Sequence, residues 1–187
     1  IPLLGLLLAA KGLPSTSRGH RPTMSLGSYL EGFKAVFSNR SADACLVGTA
    51  LTMASFQAIL IYSSSFFRQR FLVSIGFAST VTIGGALGYT LGSVGGGRFV
   101  KRFGRKLFTV LTAFIVGMFA TSYTSLPNLW LSVAFSVLGC LFAGMRGTAS
   151  DSLTLEQVPA FRGTMMSIST AATALGSALG AGLGGLA

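Results

Sequence analysis

The 187-residue chain holds few groups that could make or break covalent bonds, and their placement excludes most such chemistry. Its acids are Glu31, Asp43, Asp151 and Glu156, its single histidine is His20, and its two cysteines are Cys45 and Cys140. One histidine in the polar segment 15–22, with no carboxylate or thiolate beside it, forms neither a nucleophilic triad nor a metal site. Both cysteines sit in apolar stretches without a CxxC spacing, so they read as small apolar residues rather than a disulfide framework or zinc site. Residues 92–98 have the glycine spacing of a phosphate-binding loop, but Arg98 and Phe99 stand where lysine and serine or threonine would hold phosphate and magnesium. The sequence therefore points to no catalytic residue, no cofactor and no ATP-driven step.

What remains is binding and packing chemistry. Arg102 and Arg105 are fixed multi-donor cations on either side of Gly104, a residue free to take a tight turn. Asp151 and Glu156 are the only acids in the last polar connection, so one arginine is expected to pair with one of them, or with helix-end carbonyls, in a gating contact. The competing reading is that these arginines only set topology and bind lipid headgroups. The first long apolar run carries Thr49, Thr52, Ser55 and Gln57 near its middle. Gln57 and Thr52, with Phe56 and Tyr62 as aromatic walls, are the candidate substrate-pathway residues, against the alternative of a helix–helix hydrogen bond. Glycines recur every fourth residue at Gly84, Gly88, Gly92 and Gly96, and again at Gly176, Gly180 and Gly184. Each set gives a helix a smooth face for close backbone approach, serving either static packing or sliding.

The elements that must position these residues are membrane helices. Half the residues are hydrophobic (51%), only 10% are charged, and mean hydropathy is +0.70, which describes a polytopic membrane protein. Five continuous apolar runs cover 44–67, 74–97, 107–124, 129–149 and 164–187. They lack the alternation of a barrel strand and each is long enough to span as a helix. Before them lie a short apolar run, 1–10, and a basic linker, 11–43. Within the linker, 28–39 places Tyr29, Leu30, Phe33, Val36 and Phe37 at helical spacing. That amphipathic helix would lie on the membrane or pack on the protein. The sequence opens and closes inside apolar runs, so the chain is expected to be a fragment cut within a helix at each end.

Alternating spans put all but Arg68 and Arg70 of the 14 lysines and arginines on one side, in 11–43, 98–106 and the flanks of 150–163 (Arg146 and Arg162). Those connections are expected to face the cytoplasm. The net charge of +10 is then explained by topology and anionic lipid, which removes the case for nucleic acid.

The connection Gly97-Arg98-Phe99-Val100-Lys101-Arg102-Phe103-Gly104-Arg105-Lys106 resembles the loop after the second and eighth helices of the major facilitator superfamily, G-x-x-x-D-R-x-G-R-K. Gly97, Arg102, Gly104, Arg105 and Lys106 match; Lys101 replaces the acid. A second resemblance runs from Glu156 through Pro159 and Arg162-Gly163-Thr164 into the Gly/Ala-rich last run, and is similar to the start of the eleventh helix in drug- and sugar-efflux members. Together they imply an all-α helical bundle holding the seventh to eleventh of twelve helices and a stub of the sixth. The function implied is a secondary transporter, efflux or antiport in type, in the plasma (inner) membrane. It would move a small molecule, with a proton where coupling is to protons, and would need its N-terminal half. Helices seven, eight, ten and eleven would line the cavity and helix nine would be peripheral. The competing class is a non-transporting scaffold or a membrane-embedded enzyme. The scaffold does not account for the loop motif and paired glycine stripes, and the enzyme lacks a convergent His, Asp or Glu cluster.

Overall fold

The computed structural model describes residues 26–185, so the apolar run 1–10 and the first part of the linker, with His20, lie outside the described residues. Within them the chain is helical, without strands: α1 (Leu26–Phe37), α2 (Arg40–Phe71), α3 (Ile75–Phe103), α4 (Arg105–Ser125), α5 (Leu129–Gln157), a 3-10 turn (Pro159–Phe161) and α6 (Arg162–Gly184). Lipid offers no hydrogen bonds, so an apolar run can cross it only with its backbone bonds closed inside the segment. Four helices are long and apolar enough to cross: Arg40–Phe71, Arg105–Ser125, Leu129–Gln157 and Pro159–Gly184. The expected fifth, α3, has the length, 29 residues, but glycines 84, 85, 88, 92, 95, 96 and 97 dilute its apolarity.

The helices outrun the apolar windows because polar residues at a span's end continue the same backbone ladder. The connections expected at 98–106 and 150–163 are accordingly mostly helical, reduced to Gly104 and to the turn after Gln157. Likewise 40–43, assigned to the linker, opens α2. Asn39 caps α2, its Oδ1 accepting from the Ser41 and Ala42 amides at 3.0 and 3.4 Å; Asn128 does the same for α5 through Trp130 and Leu131. The linker helix α1 packs on the protein by one face and leaves the other open. Gly32 and Val36 are buried, Gly32 against Thr164 and Phe161, while Leu30, Phe33 and Phe37 stay exposed.

Two pairings dominate the bundle: α3 runs along α5, and α2 along α6, with α4 on the other flank of α5. Both rest on the glycine stripes. Gly88, Gly92 and Gly96 of α3 meet the backbone of Val137, Leu141 and Met145 on α5, and Gly144 of α5 meets the Tyr89 carbonyl in return. Gly176 and Gly180 of α6 meet the Ala50 and Ala54 carbonyls of α2, while Gly184 packs on the Tyr62 ring. The α3–α5 seam also carries hydrogen bonds, Thr148 Oγ1 to the Ser93 carbonyl at 3.0 Å and Ser93 Oγ to the Gly144 carbonyl at 3.4 Å. At the end away from the basic turn, Phe66, Phe67, Phe71 and Tyr123 form an aromatic cluster, and Phe77 meets Trp130 edge-on at 5.9 Å.

Glycines of one stripe are not equivalent. A Cβ at Gly92 or Gly180 would collide with a carbonyl oxygen, whereas at Gly84 it would sit 3.5 Å from Val137 Cγ2 and at Gly182 in open space. Gly92→Ala and Gly180→Ala are expected to cost at least the roughly 1–3 kcal/mol of an overpacked core. Gly84→Ala and Gly182→Ala should be neutral or slightly stabilising. Apparent melting temperatures of the detergent-purified variants check this, and equal effects at all four positions would refute the seam.

Candidate functional site

Two places gather the polar side chains: a cavity within the bundle and the basic turn at its end. The cavity is about 280 Å³ and lies among α2, α3, α4 and α5. From α2 come Thr52, Ser55 and Phe56; from α3, Tyr89; from α5, Arg146. Ala113, Val116 and Gly117 of α4 form the apolar wall. Phe56 and Tyr89 pack ring on ring, 5.6 Å between centroids. The hydroxyls of Thr49, Thr52 and Ser55 each donate to the carbonyl four residues back, so most of the polar stripe in α2 is satisfied within its own helix.

Thr52 alone has a second partner. Arg146 Nη2 donates to its Oγ1 at 2.6 Å, while Arg146 Nε is buried with no acceptor. By sequence Arg146 belongs with Arg162 at the flanks of the basic connection, and in the structure that connection is largely helical. Because α5 continues to Gln157, Arg146 stands 11 residues, or about 16 Å, inside its helix. It lies half-buried within the apolar run 129–149, three residues before that run ends, and an ionisable side chain inside such a run is a candidate for function. The signal was present in the sequence as an arginine within the run 129–149. Tyr89, the other residue missed, looks in sequence like one more aromatic in a glycine-rich helix.

Of the four expected pathway residues, Thr52 and Phe56 line the cavity. Gln57 is half-buried and does not line it. Tyr62 is used in packing, its hydroxyl donating to the Ala181 carbonyl at 3.1 Å above Gly184. The lining also departs from the expected helices, since α4, the helix expected to be peripheral, contributes and α6 does not.

At the basic turn, Gly104 has φ 81° and ψ 145°, a conformation that a Cβ disfavours. Its amide donates to the Val100 carbonyl and its carbonyl accepts from the Phe108 amide, so α3 and α4 meet with one residue between them. Phe108 stacks on both Phe99 and Phe103 and braces the corner. Arg105 and Lys106 then fall in the first turn of α4, the end where a helix dipole disfavours cations. Glu156, near the end of α5, supplies the counter-charge through an ion pair with Arg105. Arg102 lies over the Phe103 ring at 5.9 Å, and Asp151 has no cation within 4 Å among the described residues. Lys101, Arg105, Lys106 and Glu156 line a shallow cleft there. No cluster of three or more His, Cys, Asp or Glu suited to a metal occurs among the described residues.

Comparison with known families decides what this bundle is. Residues 4–187 match the Major Facilitator Superfamily. The chain belongs to that superfamily. It is therefore an integral multi-pass membrane protein of a transporter family, and the all-α bundle is this superfamily's fold. No curated protein and no solved structure matches it.

The motif glycines differ in what they require. Gly97 is helical with open space around it, whereas Gly104 has open space but a positive φ. Gly104→Ala should lose about 1–3 kcal/mol from backbone strain alone, while Gly97→Ala should gain roughly 0.5–1 kcal/mol. Opposite shifts in melting temperature check the assignment; parallel shifts would contradict it.

Proposed function

We propose that the chain is the C-terminal half of a twelve-helix secondary transporter that exports a small molecule by alternating access. The observation that carries this reading is the repetition of one packing arrangement. If α2–α3–α4 is one triplet and α5–α6 opens a second, the first helix of each triplet lies on the glycine stripe of the other's middle helix: α2 on α6, α5 on α3. That exchange supports an inverted repeat, which in transporters brackets the substrate site. By position the helices are the seventh to eleventh, and the basic end faces the cytoplasm of the plasma (inner) membrane. The turn at Pro159–Phe161 and the Arg162-Gly163-Thr164 start of α6 favour the efflux type. The described acids sit on α1 or near helix ends: Glu31, Asp43, Asp151 and Glu156. Proton-coupled antiport would therefore use a carboxylate supplied by the N-terminal half.

In this reading the Arg105–Glu156 pair holds the basic turn against α5 in the cytoplasm-closed state and loosens on opening. Both side chains are half-exposed, 43% and 49%, so the pair contributes at most about 1 kcal/mol. That is enough to bias a conformational equilibrium about fivefold. In proteoliposomes of the intact protein, flux should depend on a pH gradient. Arg105→Glu should shift the inward-to-outward ratio up to about fivefold, and the exchange Arg105→Glu with Glu156→Arg should restore it. An unchanged equilibrium in the single variant would leave these arginines with topology alone. Absence of gradient-dependent flux across a broad solute panel would favour a scaffold.

A further inference from the structure

The cavity around Arg146 has a property that the transport reading does not itself supply, a fixed positive charge without a fixed negative one. Guanidinium has five N–H donors and no acceptor. In Arg146 one Nη2 donor is used on Thr52, the buried Nε is unused, and no carboxylate of the described residues lies within 4 Å. Thr52 is held for this role, since its hydroxyl donates to the Gly48 carbonyl at 2.7 Å and so turns a lone pair to the guanidinium. Neither acid of α5 forms an ion pair with Arg146. Glu156 pairs with Arg105, and Asp151, five residues further along α5, is solvent-exposed.

We infer that Arg146 is the anion-recognising residue of this cavity and that the transported solute is a small organic anion, an apolar body bearing an oxyanion. The inference rests on the transporter reading and names its substrate class. A planar guanidinium fork suits carboxylate or phosphate oxygens, and Tyr89 brings a hydroxyl to the same cavity. A volume of about 280 Å³ lies at the small end of ligand sites, and Leu51, Phe56, Val116 and Ala143 give the solute's body an apolar wall. Thr52 acts as a positioning residue, fixing the guanidinium in the cavity wall.

The test compares probes that share a body and differ in charge: benzoate, benzyl alcohol and benzylamine, with inorganic phosphate as a free oxyanion. Binding to the purified, detergent-solubilised intact transporter is measured by calorimetry, and flux by proteoliposome uptake. Benzoate should bind at least tenfold more tightly than benzyl alcohol, and benzylamine least. Arg146→Gln should remove that preference, Arg146→Lys should keep part of it, and Thr52→Val should weaken benzoate binding several-fold while leaving the order of the probes unchanged. Thr52→Val and Arg146→Lys keep the charge, so the test survives if Arg146→Gln fails to fold. Equal binding of the three aromatic probes, or unaltered benzoate binding by Arg146→Gln, would overturn the inference. So would displacement of benzoate by added phosphatidylglycerol but not phosphatidylcholine, which would make a lipid headgroup the occupant. Benzylamine flux without benzoate binding would refute the anion site and leave the transporter; benzoate binding without flux would refute transport and leave the site.

Discussion

The structure depends on one constraint: in lipid, apolar surface gives helices no reason to prefer one another, so they must be held by close packing and by the few polar contacts they can share. This chain meets it by removing side chains. Where Gly92 faces Leu141, Gly144 faces Tyr89, and Gly176 and Gly180 face Ala50 and Ala54, the helices approach backbone to backbone. The buried apolar residues are correspondingly few and gather at the two ends, around Met165 and Leu46 on one side and Phe67 and Tyr123 on the other. Large apolar side chains such as Leu87, Leu91, Leu175 and Leu179 point outward instead. The same smooth seams that hold the bundle place no interlocking side chains between α3 and α5 or between α2 and α6 along much of their length, which is the geometry a rocking helix pair needs.

Charge is arranged around that scaffold with two different purposes. At the basic end Lys101, Arg102 and Lys106 are exposed, sit beside anionic headgroups on the proposed topology, and cost little. Arg105 is similar but occupies the first turn of α4, where Glu156 offsets both its charge and the helix dipole. Arg146 belongs to neither group. It is half-buried within the bundle, with Nε buried and one Nη2 donor on Thr52, and has no carboxylate partner among the described residues.

Much of this was legible in the sequence because it is written in one-dimensional signals. Apolar run length located the five long helices, amphipathic spacing located α1, glycine period located both seams, and the spacing around Gly104 located the corner. The Arg105–Glu156 contact is one of several the sequence allows, since Arg102 or Arg105 could reach Asp151, Glu156, helix-end carbonyls or lipid headgroups. What could not be read was which side chain of a polar helix faces which neighbour. Gln57 and Thr52 are five residues apart and equally polar, yet only Thr52 lies on the face turned to α5. Tyr62 looks like a cavity aromatic until Gly184, from the far end of the chain, is placed beneath it. Helix ends were misjudged for a related reason, since hydropathy marks where lipid stops and the hydrogen-bond ladder of α5 runs on for two further turns. The same extension places Arg146 within α5, half-buried, rather than in a connection.

The extension of α5 also joins the two sites mechanically. Arg146 and Glu156 are ten positions apart on unbroken helix, about 15 Å, with no proline or glycine between them other than Gly147. At its end the same helix is tied to α2, through Asn39 Nδ2 to the Gln157 carbonyl at 3.0 Å and Ser41 Oγ to Gln157 Oε1 at 2.6 Å. At its middle it is tied to α2 again through Arg146 and Thr52. On its other side α5 meets α3 through glycine and through the Thr148 and Ser93 hydrogen bonds. In a bundle whose connections are one to four residues long, α5 is thus the continuous element that carries both Arg146 and Glu156.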